Sequence, residues 1–119
     1  MAQVEFVLAV VAVSDIEAGR AWYNTLFGRE PDNNPMPNLV EWQVTDGGWV
    51  QVTEDPLRAG NGMLNLAVPD FEEGVRELRE MGLGTGEIID ANKGVRLCPL
   101  ADPDNNMIQL VGNFRVKYI

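Results

Sequence analysis

The chain has 119 residues, 45% of them hydrophobic and 23% charged, with a formal net charge of −9 and no histidine. That length fits one domain able to bury roughly two-thirds of its unfolded surface. The charge excludes nucleic acid as a partner, because phosphate recognition needs clustered Lys and Arg; it would favour a cationic small molecule, although solubility is the plainer reading of an acidic surface.

The opening stretch MAQVEFVLAVVAVSD lacks the basic n-region of a secretory signal, and its apolar run is too short to span a membrane and stops at Asp15. Cys98 is the single cysteine, so no internal disulfide can form. Both features lead us to expect a reducing cytoplasmic setting and no membrane partner. Within that stretch EFVLAVVAV is almost wholly apolar and β-branched, which predicts a strand covered on both faces. SDIEAGRAWYNTLFG predicts a helix capped by Ser14 or Asp15 and ended at Gly28, with Trp22 on its core stripe. REPDNNPMPN reads as a loop around a short strand. LVEWQVT and WVQVTED are strands joined by a hairpin turn at DGG.

The pattern then repeats. GMLNLAVPD is a strand, and DFEEGVRELREMG is a helix capped by Asp70 and closed by Gly82, with i,i+4 pairs Glu72–Arg76 and Arg76–Glu80 on its surface. GEIID, GVRLCPLAD and NMIQLVG follow as three strands. The expectation is a single α+β domain of two βαβββ modules, about 1–58 and 59–119, hinged at DPLRAGNG. The repeat holds at residue level: Asp15 sets against Asp70, Gly19 against Gly74, Leu8 against Met63 and Gln51 against Gln109.

Paired βαβββ units, a helix ending in WYNTLFG and a closing DPDNNMIQL together resemble the vicinal oxygen chelate superfamily, which includes glyoxalase I, extradiol dioxygenases, fosfomycin-resistance enzymes and bleomycin-resistance proteins. WYNTLFG is similar to the family's F-Y-x-x-x-L-G helix end and DPDNN to its D-P-D-G-N turn. The resemblance covers almost the whole chain and implies two modules whose mixed sheets curl around a cup. In metal-dependent members the ligands come from the first and last strands of each module. By motif those places fall on Leu8, Gln51, Met63 and Gln109. Leucine has no lone pair, a thioether suits soft Cu(I), and two neutral amides do not balance a divalent charge, so we expect no metal and no cofactor.

Strand alternation assigns the cup lining. With Leu8 facing in, Val10 and Ala12 face in as well; the second module contributes Met63, Asn65 and Ala67. Trp49, Gln51 and Thr53 share a face, as do Met107, Gln109 and Val111. Trp42, on the neighbouring strand, is a second candidate for stacking on a planar ligand, with aromatic core or dimer packing as its alternative. The candidate ligand-binding set is therefore Leu8, Val10, Trp42, Trp49, Gln51, Met63, Asn65, Met107 and Gln109. A mostly apolar cup with a few amides suits an aromatic or uncharged organic molecule. The alternative is that Gln51 and Gln109 bond only each other or water.

No catalytic residue is assigned. Glu41 has the chemistry of a general base with nothing near it in sequence to support the role, Arg96 reads as an exposed strand arginine, and Cys98 has no His partner. GLGTG follows a helix, which is the wrong context for a dinucleotide loop. The missing ligands resemble the bleomycin-resistance branch and imply a non-catalytic homodimer that sequesters a drug or an aromatic metabolite. The alternative is a lyase or oxidoreductase with an atypical or metal-free site.

Overall fold

In a computed structural model, which describes residues 2–114, the chain runs β1 (Val7–Val13), α1 (Ile16–Phe27), β2 (Asn33–Met36), β3 (Leu39–Thr45), β4 (Gly48–Glu54), β5 (Met63–Ala67), α2 (Phe71–Glu80), β6 (Ile89–Asp90), β7 (Arg96–Ala101) and β8 (Met107–Gly112). Residue 1 and residues 115–119, the outer ends of the two expected modules, lie outside the described residues. The strands form two four-stranded mixed sheets of identical order, β1-β4-β3-β2 and β5-β8-β7-β6. In each, the first and last strands of the unit pair in parallel and the other pairs are antiparallel.

Local chemistry sets the helix ends. The Asp15 carboxylate accepts from the Glu17 N–H at 3.0 Å, and Gly28 leaves α1 in the left-handed region at φ 73. Asp70 caps α2 by accepting from the Glu73 N–H at 3.2 Å. On the α2 surface Arg76 pairs with Glu73 and Glu80, while the expected partner Glu72 reaches across to Arg96 at 3.5 Å. The stretch GEIID is strand only at Ile89–Asp90, preceded by one bridge from Thr85 to Leu100; the glycines at 82, 84 and 86 upstream weaken extended pairing there.

Each helix covers one face of its own sheet. Val11, Val13, Val40, Trp42, Val50 and Val52 lie buried beneath α1, and Leu64, Cys98, Leu100, Ile108 and Leu110 pack with Phe71, Val75 and Leu78 of α2. Trp22, Tyr23, Phe27 and Trp42 form an aromatic cluster with ring centroids 4.8–6.2 Å apart. Trp22 thus joins the core as its helical stripe predicts.

A buried polar joint ties the modules together. Tyr23 on α1 donates its hydroxyl to the Asp102 carboxylate at 2.8 Å. Asn106 donates to the Ala12 carbonyl and to Asp102, each at 2.8 Å, and accepts from the N–H groups of Gly60 and Gly62 at 3.1 and 2.7 Å. Asp102 in turn accepts from the N–H groups of Asp104 and Asn106. The DPDNN turn therefore acts as the clasp between β1, α1 and the 55–62 connection. Asn105 occupies the left-handed region at φ 69, the place of glycine in the D-P-D-G-N pattern, and asparagine is the side chain that tolerates it best. No helix of the described residues is long and apolar enough to cross a membrane.

Candidate functional site

The faces turned away from the helices carry the candidate residues other than Trp42. On the first sheet, strand register aligns them in transverse rows: Leu8, Trp49 and Gln43; then Val10, Gln51, Glu41 and Asn33; then Ala12, Thr53 and Leu39. On the second sheet the rows are Met63, Met107 and Ala101, then Asn65, Gln109 and Pro99. The rest of the chain leaves these faces open. Leu8 is 51% exposed, Val10 59%, Met63 68% and Met107 40%, although all four are large apolar side chains. The first strand is therefore covered by α1 on one face only, and not on both as its apolar run predicts.

The amides are engaged within their own sheets. Gln51 donates to the Glu41 carboxylate at 2.6 Å, and Asn33 donates to the other oxygen of that carboxylate at 3.1 Å. Gln109 donates to Asn65 at 3.1 Å. Gln51 and Gln109 therefore occupy equivalent places but do not bond each other, contrary to one of the sequence-based alternatives. A cleft of about 450 Å³ lies at one end of the first face, between Val10, Ala12 and Thr53 and the loop residues Leu57, Arg58 and Asn61. A second, of about 500 Å³, lies against Pro99, Ala101 and Met107 of the other face. At the far edge of the first sheet, a hydrogen bond from Arg29 and another from the Gln43 N–H hold the Asp32 carboxyl below the usual carboxylate range.

A solved structure of similar shape settles the family. The glyoxalase/bleomycin resistance protein of Catenulispora acidiphila shares 32% identity with this chain over 90% of its length and 96% of that protein's, with a TM-score of 0.83. The chain belongs to the glyoxalase/bleomycin resistance protein family. This places it in the vicinal oxygen chelate superfamily, and the two-module α+β architecture is that of the family. The fold alone is shared more widely. A bleomycin-binding protein solved in complex with bleomycin is 17% identical, with a TM-score of 0.75 over 91% of this chain and 98% of that one. Lactoylglutathione lyase of Agrobacterium tumefaciens is 15% identical, with a TM-score of 0.76 over 91% and 92%. Neither the family models nor the curated proteins searched contain a match to the sequence.

The residues at the superfamily's metal places do not fit a divalent ion. Leu8 and Met63 bring no imidazole or carboxylate, and the side-chain amides of Gln51 and Gln109 are turned to Glu41 and Asn65 within separate sheets. Among the described residues no group of three or more His, Cys, Asp or Glu side chains lies together in a way that could hold a metal. Neutral amides, a thioether and an alkyl chain supply too little negative charge to offset the cost of dehydrating such an ion.

One member of the candidate set is misplaced. Trp42 is fully buried on the helix side of β3, in tilted contact with the rings of Tyr23 and Phe27, and its indole N–H donates to the Arg29 carbonyl at 3.0 Å. The cause is a one-residue irregularity between Gln43 and Thr45. A regular hairpin closing at Thr45–Gly48 would set Trp42 opposite Gln51; the extra residue shifts the register so that Glu41 takes that place. Glu41, left without a role by the sequence, is thus the ionisable residue that the strands bring onto the row of Val10, Gln51 and Asn33 on the helix-free face. The missed signal is the alternation of LVEWQVT itself: with Val40 and Trp42 in the core, Glu41 must face outward.

Proposed function

We propose that this protein is a non-catalytic binding protein that sequesters a small organic molecule, a drug or an aromatic metabolite, on the helix-free faces of its sheets. The observation that carries this reading is the character of those faces: large apolar side chains left exposed around placed amides, at positions where a metal enzyme would carry anionic or imidazole donors. Leu8, Val10, Trp49 and Gln51 would contact the ligand from one sheet, and Met63, Asn65, Met107 and Gln109 from the other. The structural likeness to a bleomycin-binding protein and to a bleomycin resistance determinant encoded on transposon Tn5 agrees with it, and drug resistance by sequestration in a reducing cytoplasm would be its cellular consequence.

Because the chain does not close either face upon itself, the working unit proposed is a homodimer in which a second copy covers the exposed residues. A single domain of about 1–58 and 59–119 modules would then supply half of each closed site.

The test is calorimetric titration of chelator-dialysed protein with 2-naphthylmethanol and with bleomycin. Saturable binding of either is expected without added metal. Gln109→Leu removes one amide at nearly constant volume and should weaken binding by about one factor of ten, the size of one lost hydrogen bond. Equal affinities in the two proteins would show that Gln109 only packs.

A further inference from the structure

The row Val10–Gln51–Glu41–Asn33, exposed at its two ends and half-buried at Gln51 and Glu41, holds a carboxylate in unusual company. Both oxygens of Glu41 are occupied, one by the Gln51 amide at 2.6 Å and one by the Asn33 amide at 3.1 Å. These contacts fix the side chain but bring no positive charge. None of the ion pairs among the described residues includes Glu41: Arg20, Arg29, Arg58, Arg76 and Arg96 pair with Glu30, Asp32, Asp55, Glu73, Glu80, Glu72 and Asp90, and Arg79 donates to the Thr85 hydroxyl. Its neighbours on the same face are apolar or neutral: Val10 across the row, and Trp49 diagonally on β4, two residues before Gln51. Diagonal neighbours in an antiparallel pair lie roughly 7–8 Å apart, within reach of one aromatic ligand.

We infer that Glu41 is the specificity-determining residue of the binding face, selecting ligands that carry a protonated amine one or two bonds from an aromatic ring. The inference rests on the binding reading above. A half-buried carboxylate oriented by two amides has lone pairs left for an ammonium hydrogen bond, and charge-assisted bonds are about twice as strong as neutral ones. With the ammonium at Glu41, the ring of such a ligand lies over Val10 and Leu8 and against the Trp49 indole, whose face also attracts a cation. The overall charge of −9 acts in the same direction at long range, drawing cations and repelling anions. A neutral or anionic aromatic of the same size would leave the carboxylate without a counter-charge or repel it outright.

A matched series reads this directly: 2-naphthylmethylammonium, 2-naphthylmethanol and 2-naphthoate, titrated by calorimetry into wild type and Glu41→Gln. In wild type the ammonium should bind about tenfold tighter than the alcohol, with naphthoate weakest and the ammonium preference shrinking as ionic strength rises. In Glu41→Gln the ammonium-to-alcohol ratio should fall to about one, and naphthoate should bind better than it does to wild type, a gain that misfolding could not produce. Failure of all three compounds and of bleomycin to bind wild type would overturn the binding reading together with this one, and failure of the three alone, with bleomycin bound, would overturn the assignment of Glu41. An alcohol that binds wild type as tightly as the ammonium, or an ammonium preference that survives Glu41→Gln, would overturn the assignment of Glu41 alone. A shift of Glu41→Gln toward monomer in sedimentation equilibrium, with the ammonium preference intact, would assign the carboxylate to the contact between copies instead.

Discussion

Asn106 uses the whole hydrogen-bonding capacity of its amide, two donated bonds and two accepted, while fully buried. Truncating it to alanine strands the Ala12 carbonyl and two glycine N–H groups at the joint between modules. Each buried polar group left unpaired costs about 1–3 kcal/mol, so Asn106→Ala should lose about 3–5 kcal/mol in urea unfolding. Tyr23→Phe should cost less, because Asp102 keeps the Asn106 amide and two backbone N–H groups. Tyr23 also confers a pH dependence. Burial, then the hydrogen bond to Asp102, hold its hydroxyl far above the usual phenol range. A folded-state pKa raised above the unfolded value of about 10 leaves stability intact below that pH and removes it as the unfolded chain begins to ionise. Wild type should therefore lose about 1.4 kcal/mol per pH unit more than Tyr23→Phe above roughly pH 10. Parallel stability profiles of the two proteins in that range would show that the hydroxyl is not held protonated.

At the scale of elements, helix and sheet meet most tightly where Gly112 of β8 passes Phe71 of α2. A Cβ placed on Gly112 would lie 2.5 Å from the Phe71 Cβ and 2.6 Å from its Cγ, atoms tethered close to the helix backbone. Gly112→Ala should destabilise by about 1–3 kcal/mol through overpacking, lowering Tm by roughly 5–15 °C. Gly84→Ala, where an added methyl meets nothing within 4 Å, is the matched control and should leave Tm nearly unchanged. Most elements were legible in the sequence because capping and alternation are local: Asp15, Gly28 and Asp70 act as read, and all but the sixth strand extend as expected. The side of the sheet taken by Trp42 was legible in the alternation of LVEWQVT, but the partner of Gln51 was not, since it depends on one unpaired residue at Val44 that sets Glu41 opposite Gln51. The clasp of Tyr23, Asp102 and Asn106 was missed for another reason: its members are 79 and 4 residues apart, and the Asp-Pro turn reads locally as a simple connection. Gln51 and Gln109 were placed correctly as equivalents, yet their partners Glu41 and Asn65 depend on cross-strand register.

For the whole molecule, the two sheets repeat each other and each leaves an apolar face uncovered. Water against Leu8, Val10, Met63 and Met107 is unfavourable by about 25 cal/mol per Å² of apolar surface, which favours association with a second copy. The outer edges at β2 and β6 are short, which limits open-ended pairing and makes the broad faces the surface through which the proposed dimer would close. Sedimentation equilibrium at micromolar concentration should return twice the 13.2 kDa of one chain, and a 13.2 kDa species would count against the assembly. The central claim is that these faces bind an organic ligand with no metal. It is tested most directly by calorimetric titration of the chelator-dialysed protein with 2-naphthylmethanol, before and after Zn, Ni, Mn or Fe is restored. The account predicts saturable binding with the same affinity in both states; binding that appears only once metal is returned would contradict it.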